Sequence, residues 1–203
     1  MTQGKLEILA GTMRSNKSAE LIRRTEIRRH YAKQDVLVFK PCADTKASPG
    51  FVESRNATGQ SKLEATEFPS CDPWSILSAI DVHEQKIEKR VDCIAIDEGQ
   101  FIDGLFLLTK RLLERGYDVM VAGLEISFKG EPFGDMLNLS WLMYHFGGSR
   151  TEQVAYCSCG QVALYPQRLV NGAPAPYDSP LIIAGDGYEP VCAEHFILPG
   201  APH

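Results

Sequence analysis

The chain has 203 residues, of which 44% are hydrophobic and 23% are charged, and its formal net charge at pH 7 is −5. This length and composition are typical of one ordinary globular domain with a small addition. The acidic balance argues against a general nucleic-acid partner. The sequence also lacks a run of about 18 apolar residues, so we expect no transmembrane helix and no membrane partner.

The N-terminal residues lack the basic segment and the apolar segment of a secretion signal. Residues 5–10, KLEILA, instead alternate in polarity and then become apolar, which predicts a strand that ends in a tight turn. The cytoplasm is therefore the expected compartment.

Helical and strand patterns alternate through the first part of the sequence. In chain order, the elements expected after the first strand are a helix at 17–33, a strand at 35–40, a helix at 73–90, a strand at 91–96, a helix at 103–115 and a strand at 118–124. Residues 42–70 are polar and rich in turn-forming residues, so we expect a long mobile excursion there. The alternation predicts a parallel sheet covered on both faces, with its ligand site at the carboxyl ends of the strands.

The composition changes near residue 148. The part that follows has several prolines and glycines, short apolar runs and three clustered cysteines, but no long helical pattern. A unit this small usually needs a cross-link, such as a disulfide or a structural metal ion, to be stable. We therefore predict an α/β domain at 1–148 and a small β-rich domain at 149–203.

A phosphate-binding loop is predicted directly after the first strand. Residues 11–18, GTMRSNKS, have the spacing of G-x-x-x-x-G-K-S. In such a loop, backbone N–H groups bind phosphate oxygens, the lysine reaches the β- and γ-phosphates, and the serine holds Mg²⁺. The residues expected to bind ATP here are Gly11, Thr12, Met13, Arg14, Ser15, Asn16, Lys17 and Ser18.

Asn16 stands where the motif has its second glycine. Glycine is usual where the backbone takes unusual dihedral angles or where phosphate approaches closely. Asparagine is the next most tolerant residue at positive φ, but its side chain needs space. The alternative is a helix N-terminus with a chance Lys-Ser pair, which the order of strand, loop and helix disfavours.

An acidic pair, Asp97 and Glu98, follows the strand expected at 91–96. P-loop kinases place an aspartate beside Mg²⁺ at this point, and Asp97 matches it. Glu98 would lean to the other side, where it could face an acceptor hydroxyl as a general base. The alternative is a pair of helix-capping acids, which the upstream phosphate loop disfavours.

Together these motifs resemble those of the zinc-containing, P-loop (type II) thymidine kinases, over nearly the whole chain. The resemblance is carried by the phosphate loop, by LVFKP at 37–41, DEGQF at 97–101 and GLEISFKGEPFGD at 123–135, and by the C-terminal cysteines. It implies an enzyme that transfers the γ-phosphate of ATP, bound with Mg²⁺, to the 5′-hydroxyl of thymidine or deoxyuridine. It also implies a homotetramer and feedback inhibition by dTTP.

The resemblance further implies roles for single residues. Glu98 would remove the hydroxyl proton, Asp97 and Gln100 would act at the ATP phosphates, and a lasso that includes residues 181–185 would close over the nucleoside. The residues expected to contact the nucleoside are Met13, Phe101, Leu124, Phe128, Phe133, Arg168, Ile183, Gly185 and Tyr188. Independently of the resemblance, aromatic side chains suit the faces of a base and main-chain groups suit its edges. The alternative for Phe128 and Phe133 is a place in the core.

A metal site is predicted in the C-terminal part. The pairs Cys157 with Cys159 and Cys192 with His195 offer four ligands of the kind that tetrahedral Zn²⁺ takes. Four protein ligands leave no open position for chemistry, so we expect a structural zinc at the base of the lasso. The alternative is three free cysteines and a surface histidine, which the small core of this segment disfavours.

Several residues depart from the family pattern, namely Asn16, Lys46, Ala47, Ile102 and Glu125. They leave two rival functions open, a deoxynucleoside kinase with altered base choice and a catalytically weakened paralogue that binds nucleotide or nucleoside. A third rival, a zinc-ribbon nucleic-acid binder, is disfavoured by the acidic balance.

Overall fold

The computed structural model describes residues 3–44, 47–56, 59–181 and 187–201, apart from the side chains at 55 and 56. The helices and strands in chain order are β1 (Leu6–Gly11), α1 (Lys17–His30), β2 (Val36–Pro41), β3 (Phe51–Asn56), β4 (Gly59–Glu64), β5 (Thr66–Phe68), α2 (Ser75–Ile87), β6 (Cys93–Ile96), a 3₁₀ helix (Gly99–Phe101), α3 (Leu105–Glu114), β7 (Asp118–Ala122), α4 (Leu139–Phe146), β8 (Gly148–Gln153), β9 (Tyr165–Val170), β10 (Ala173–Pro174) and β11 (Tyr188–Val191). Within the described ranges, every helix is too short or too polar to cross a membrane.

Six strands form one sheet in the order β5–β2–β6–β7–β1–β8, and every pair in it is parallel. The carboxyl ends of β1, β6 and β7 therefore lie at the same edge of the sheet. This confirms the parallel sheet expected from the sequence, and it brings the segments that follow these three strands together.

Apolar residues on alternate positions of the strands build a core on each face of the sheet. On one face, Ile8 and Ile94 lie in a core with residues of α2, α3 and α4. On the other face, Leu9 and Ala95 lie in a core with Leu21 of α1 and with the β3–β4 hairpin. Both faces of the sheet are thus covered, as the near-continuous apolar strands require.

Ion pairs fix α1 against the start of the sheet. The Glu7 carboxylate of β1 lies 2.7 Å from Arg24 and 2.6 Å from Arg28 of α1, and Arg28 also lies 3.1 Å from Asp118 of β7. Burial works to raise the pKa of Glu7, but the hydrogen bonds from Arg28 and Arg24 outweigh it and hold that pKa below its ordinary value. These contacts anchor the helix that carries Lys17 and Ser18 at its other end.

The expectation of a long mobile excursion at 42–70 was wrong. This segment contains the β3–β4 hairpin and β5, which pairs with β2 at the edge of the sheet. Val52 and Leu63 of the hairpin are buried in the same core as α1. Few apolar residues fix these strands, so the polar and turn-forming residues dominated the sequence pattern.

Helix α4 was not predicted, because its apolar residues point both into the core and into solvent, where Trp141 and Tyr144 are exposed.

The C-terminal part forms a three-stranded antiparallel sheet in the order β10–β9–β11. A small core of Cys157, Val191 and Cys192 lies beside it, with Tyr165 and Phe196 packed against them. β8 pairs with β1 over its whole length, so the predicted division at residue 148 falls at the first residue of a strand of the large sheet. We propose that the small domain begins after Gln153.

Candidate functional site

The segment after β1 is a tight loop at the carboxyl edge of the sheet. Gly11 has a φ of 142°, and a Cβ at this position would lie 2.2 Å from the carbonyl oxygen of Gln153 in the neighbouring β8. Only glycine fits such a position. The loop then enters α1, whose first N–H groups have no partners within the helix and can bind an anion.

Asn16 has the left-handed backbone conformation, with φ 66° and ψ 24°. Its side chain is exposed, and its carbonyl oxygen accepts the N–H of Glu20 at 3.0 Å, the first turn of α1. Asparagine tolerates this conformation better than most residues other than glycine. The loop backbone is therefore compatible with asparagine, and the side chain has the space that it needs.

The interior of the loop is polar. The Lys17 ammonium donates to the carbonyl oxygen of Thr12 at 2.7 Å and lies 3.5 Å from the hydroxyl of Ser15. In the described part of the chain, the buried hydroxyl of Thr12 has no hydrogen-bond partner. A buried polar atom of this kind is costly unless a further group binds it. A phosphate group fits this loop, since it offers acceptors to both the hydroxyl and the lysine.

Asp97 joins the end of β6 to the phosphate loop. Its carboxylate is buried and accepts a hydrogen bond from the side chain of Ser18. Burial raises the pKa of Asp97 above its ordinary value, and the negative charges of Glu98 and Asp44 raise it further, whereas the bond from Ser18 lowers it. A cation beside Asp97 and Ser18 would offset this cost, and these two side chains fit a Mg²⁺ ion.

Glu98 follows Asp97 and is the residue before the 3₁₀ helix. Among the described residues it is one of the few other than glycine with a left-handed backbone, at φ 51° and ψ 42°. Such a conformation costs on the order of 1 kcal/mol and occurs most often at functional sites. Glu98 is only partly buried, in contrast to the buried Asp97. Because Lys17 and Glu98 are the chain neighbours of the bonded pair Ser18 and Asp97, both lie at this edge of the sheet.

Gln100 was grouped with the phosphate-binding residues from the sequence. In the structure this residue is 3% exposed. Its amide nitrogen donates to the Glu98 carboxylate, and its amide oxygen accepts the backbone N–H of Leu124 at 2.9 Å. Both ends of the amide are therefore bonded within the protein.

The aromatic residues expected at the nucleoside lie in two groups. Phe101 and Phe133 contact edge to face, with ring centroids 5.2 Å apart. Phe128 is almost fully buried, as its core alternative also requires, and the Arg168 guanidinium lies 5.5 Å from its ring centroid. Tyr188 pairs with Arg168 across β11 and β9.

The lasso is described only at its ends. Arg168 donates to the carbonyl oxygen of Pro180 at 2.7 Å, which ties the start of the lasso to β9. Ile183 and Gly185, two of the expected nucleoside contacts, lie outside the described residues, as does Lys46. Met13 is partly buried in the phosphate loop.

A cavity of about 220 Å³ opens between the phosphate loop and the small domain. Gly11 and Thr12 line it on one side, and Tyr165 and Pro166 line it on the other. Leu124 is the expected nucleoside contact among its lining residues. Because Gly11 and Thr12 belong to the loop after β1, the cavity is continuous with that loop.

Two charged residues near the site were not selected from the sequence. The Lys40 side chain is fully buried, and its ammonium lies 3.6 Å from Asp44 and 3.3 Å from Glu67. Asp44 in turn acts on Asp97 through its charge. The available signal was a lysine at the end of the apolar run LVFKP, where a buried charge needs a partner.

The four predicted metal ligands meet at one point. The Nδ1 atom of His195 lies 3.3 Å from the sulfur of Cys157 and 3.4 Å from that of Cys192, and the sulfurs of Cys159 and Cys192 are 3.8 Å apart. Sulfurs on one tetrahedral zinc are also about 3.8 Å apart, given Zn–S bonds of about 2.3 Å. The backbone N–H groups of Cys159 and Cys192, with a smaller contribution from His195, lower the pKa of Cys157 to about 5. The cluster could therefore hold a zinc ion through thiolate ligands.

Comparisons with known proteins give one family match over nearly the whole chain. The family model described as thymidine kinase matches residues 4–196. A cytoplasmic domain of the type VII secretion ATPase EccC from Thermomonospora curvata is 10% identical, with a TM-score of 0.45 over 85% of this chain and 21% of that chain. The ATPase DotB from Legionella pneumophila is 14% identical, with a TM-score of 0.41 over 80% of this chain and 44% of that chain. The large terminase of a thermophilic bacteriophage is 9% identical, with a TM-score of 0.43 over 74% of this chain and 40% of that chain. The chain thus spans less than half the length of each of these structures.

The left-handed backbone at residue 16 gives the first prediction. Asn16→Val should lower the free energy of unfolding by about 1–2 kcal/mol, because a β-branched residue is strained at this φ. It should also weaken ATP binding, measured by titration calorimetry, because the loop must distort. Lys33→Val is the matched control, since Lys33 is also exposed and left-handed, with φ 56°, but lies beyond α1. The control should lose similar stability and keep its ATP affinity; equal affinity in both variants would contradict the prediction.

The metal cluster gives the second prediction. The purified chain should contain about one zinc ion per chain by elemental analysis, and chelation should lower its melting temperature. Cys192→Ser should lose the metal, whereas Cys42→Ser, at an exposed cysteine outside the cluster, should keep it. Equal metal content in the two variants would exclude a zinc site at these residues.

Proposed function

This chain belongs to the thymidine kinase family, and we propose that it transfers the γ-phosphate of ATP to the 5′-hydroxyl of thymidine or deoxyuridine. The observation that carries the proposal is the hydrogen bond between Ser18 and Asp97. It joins the loop that can cradle a triphosphate to the segment that carries the partly buried residue Glu98. Phosphoryl transfer depends mainly on this kind of positioning and on neutralisation of charge.

The phosphate loop acts on the donor. Backbone N–H groups of residues 11–18 and the start of α1 bind the phosphate oxygens, and Lys17 moves from its contact with Thr12 to the β- and γ-phosphates. Ser18 and Asp97 would hold Mg²⁺, which neutralises phosphate charge when it is bound. The buried Asp97 favours this role, because its environment penalises an uncompensated carboxylate.

Glu98 acts on the acceptor. Its carboxylate takes the proton of the 5′-hydroxyl while the hydroxyl oxygen forms a bond to the γ-phosphorus. The bond from that phosphorus to the β,γ-bridging oxygen breaks, and the products are ADP and the nucleoside monophosphate. The left-handed backbone of Glu98 supports the role, since such conformations cluster at functional sites.

The acceptor binds against aromatic side chains. Phe101 and Phe133, which are in edge-to-face contact, provide apolar ring surface for a base. Phe128 is almost fully buried with the Arg168 guanidinium beside its ring, so it would contact a base only if that ring were uncovered. Tyr188 and the lasso backbone, including Ile183 and Gly185, would close over the nucleoside. A flat base with hydrogen-bonding edges suits such a site, and a pyrimidine deoxynucleoside is the acceptor that the family suggests.

The family also suggests the setting in which the enzyme works. We propose a cytoplasmic homotetramer that is inhibited by dTTP, with a structural zinc ion at the base of the lasso. The close approach of the four ligand atoms, all within 4.8 Å of one another, supports the zinc.

The weakened-paralogue alternative rested on Asn16. The left-handed backbone and exposed side chain at this position remove its main physical reason, so we favour the enzyme. Asn16→Gly should therefore leave the transfer rate close to that of the natural chain. A large increase would favour the weakened paralogue.

Transfer of labelled phosphate from ATP to thymidine in the presence of Mg²⁺ is the test of the proposed function. Glu98→Gln should lower kcat by about 10²–10⁴-fold, because the general base is lost, while thymidine binding is retained. Glu114→Gln, an exposed residue at the end of α3, is the control and should keep the natural rate. Absence of transfer at high protein concentration, with ATP bound, would contradict the proposal and favour a binding protein. Deoxycytidine and deoxyuridine as competing acceptors would identify an altered base choice.

A further inference from the structure

We propose that Gln100 is a positioning residue that holds the Glu98 carboxylate for proton transfer and ties it to the nucleoside side of the site at Leu124. The inference rests on the proposed function of Glu98 as the general base. It departs from the expectation that Gln100 binds a phosphate of ATP.

The orientation of the Gln100 amide is fixed by its partners. The backbone N–H of Leu124 can only donate, so the atom that faces it at 2.9 Å must be the amide oxygen. The amide nitrogen then faces Glu98 and donates to its carboxylate. A flip of the amide would place two donors together and an oxygen against a carboxylate.

The slot around Gln100 leaves little room for another arrangement. A Cβ at Gly123 would lie 2.7 Å from the amide oxygen of Gln100 and 2.8 Å from the sulfur of Met136, which is itself fully buried. A Cβ at Gly134 would lie 2.5 Å from the backbone oxygen of Gln100. Two glycines therefore let the chain close around this residue, which is 3% exposed.

These contacts argue against a phosphate role. To reach a phosphate, the amide would have to leave both partners, and each buried polar group left unpaired costs about 1–3 kcal/mol. In its observed place, the amide selects one arrangement of the Glu98 side chain. The same amide contacts Leu124, which lines the cavity beside the phosphate loop. A single side chain thus contacts both the proposed general base and a residue that lines this cavity.

Gln100→Met tests the inference, because methionine has a similar length and no hydrogen-bonding amide. We expect kcat to fall by about 10–100-fold, since small misplacements of reacting groups have effects of this size, while KM for ATP and for thymidine changes little. An increase in KM for ATP with an unchanged kcat would show that Gln100 binds phosphate and would overturn the inference.

Gln167→Met is the matched control. Gln167 is also 3% exposed, accepts a backbone N–H, that of Ile197, at 2.8 Å, and donates to a backbone carbonyl rather than a carboxylate. The Gln167→Met variant should lower the melting temperature by a similar amount as Gln100→Met. Its kcat should not fall selectively while KM stays unchanged. An equal loss of kcat in the control would assign the effect of Gln100→Met to general destabilisation.

The double variant Glu98→Gln with Gln100→Met separates the remaining explanations. If Gln100 acts through Glu98, the double variant should be no slower than Glu98→Gln alone. Multiplied effects would mean that Gln100 acts independently, against the inference. If Gln100→Met does not fold, Gln100→Glu keeps an acceptor for Leu124 but loses the donor to Glu98, and it should show the same loss of kcat. Absence of transfer by the natural chain would instead be a failure of the proposed function.

Discussion

The parallel pairing of β1, β7 and β6 is the constraint on which the rest of the structure depends. Because these strands run in one direction, the loop after β1 and the acidic pair after β6 emerge at one edge, where Ser18 and Asp97 are hydrogen bonded. In the proposed reaction, that contact would bring the phosphate-binding loop close to the carboxylate that takes the proton of the alcohol. Residues far apart in the sequence thereby form one site.

The buried charges at this edge of the sheet favour the binding of a cation. Asp97 and Asp44 are buried carboxylates close enough to influence one another, and Lys40 is the buried cation that offsets Asp44. The hydroxyl of Ser18 and a backbone group of Glu98 lower the pKa of Asp97, but burial outweighs them. A site of this kind gains most from a bound cation, which is the electrostatic reason for expecting a metal–nucleotide complex rather than a free anion.

Sequence reasoning could select the features that depend on local spacing, although their roles stay predictions. The loop after β1, the acidic pair after β6 and the two pairs of the Cys/His cluster are short patterns of this kind. It failed at 42–70, where strands are fixed by a few contacts such as that of Val52 with the α1 core, which no local pattern records. The bonding of Gln100 was also hidden, because it depends on Leu124, a residue brought near only by the pairing of β6 with β7.

A crystal structure with an analogue that joins adenosine and thymidine through a chain of phosphates would test the central claim most directly. The account predicts phosphate oxygens on the backbone N–H groups of residues 11–18. It also predicts the 5′-oxygen of the thymidine end within about 3 Å of the Glu98 carboxylate, the reach of a general base. Phosphates bound away from this loop, or a 5′-oxygen that faces another residue, would contradict it.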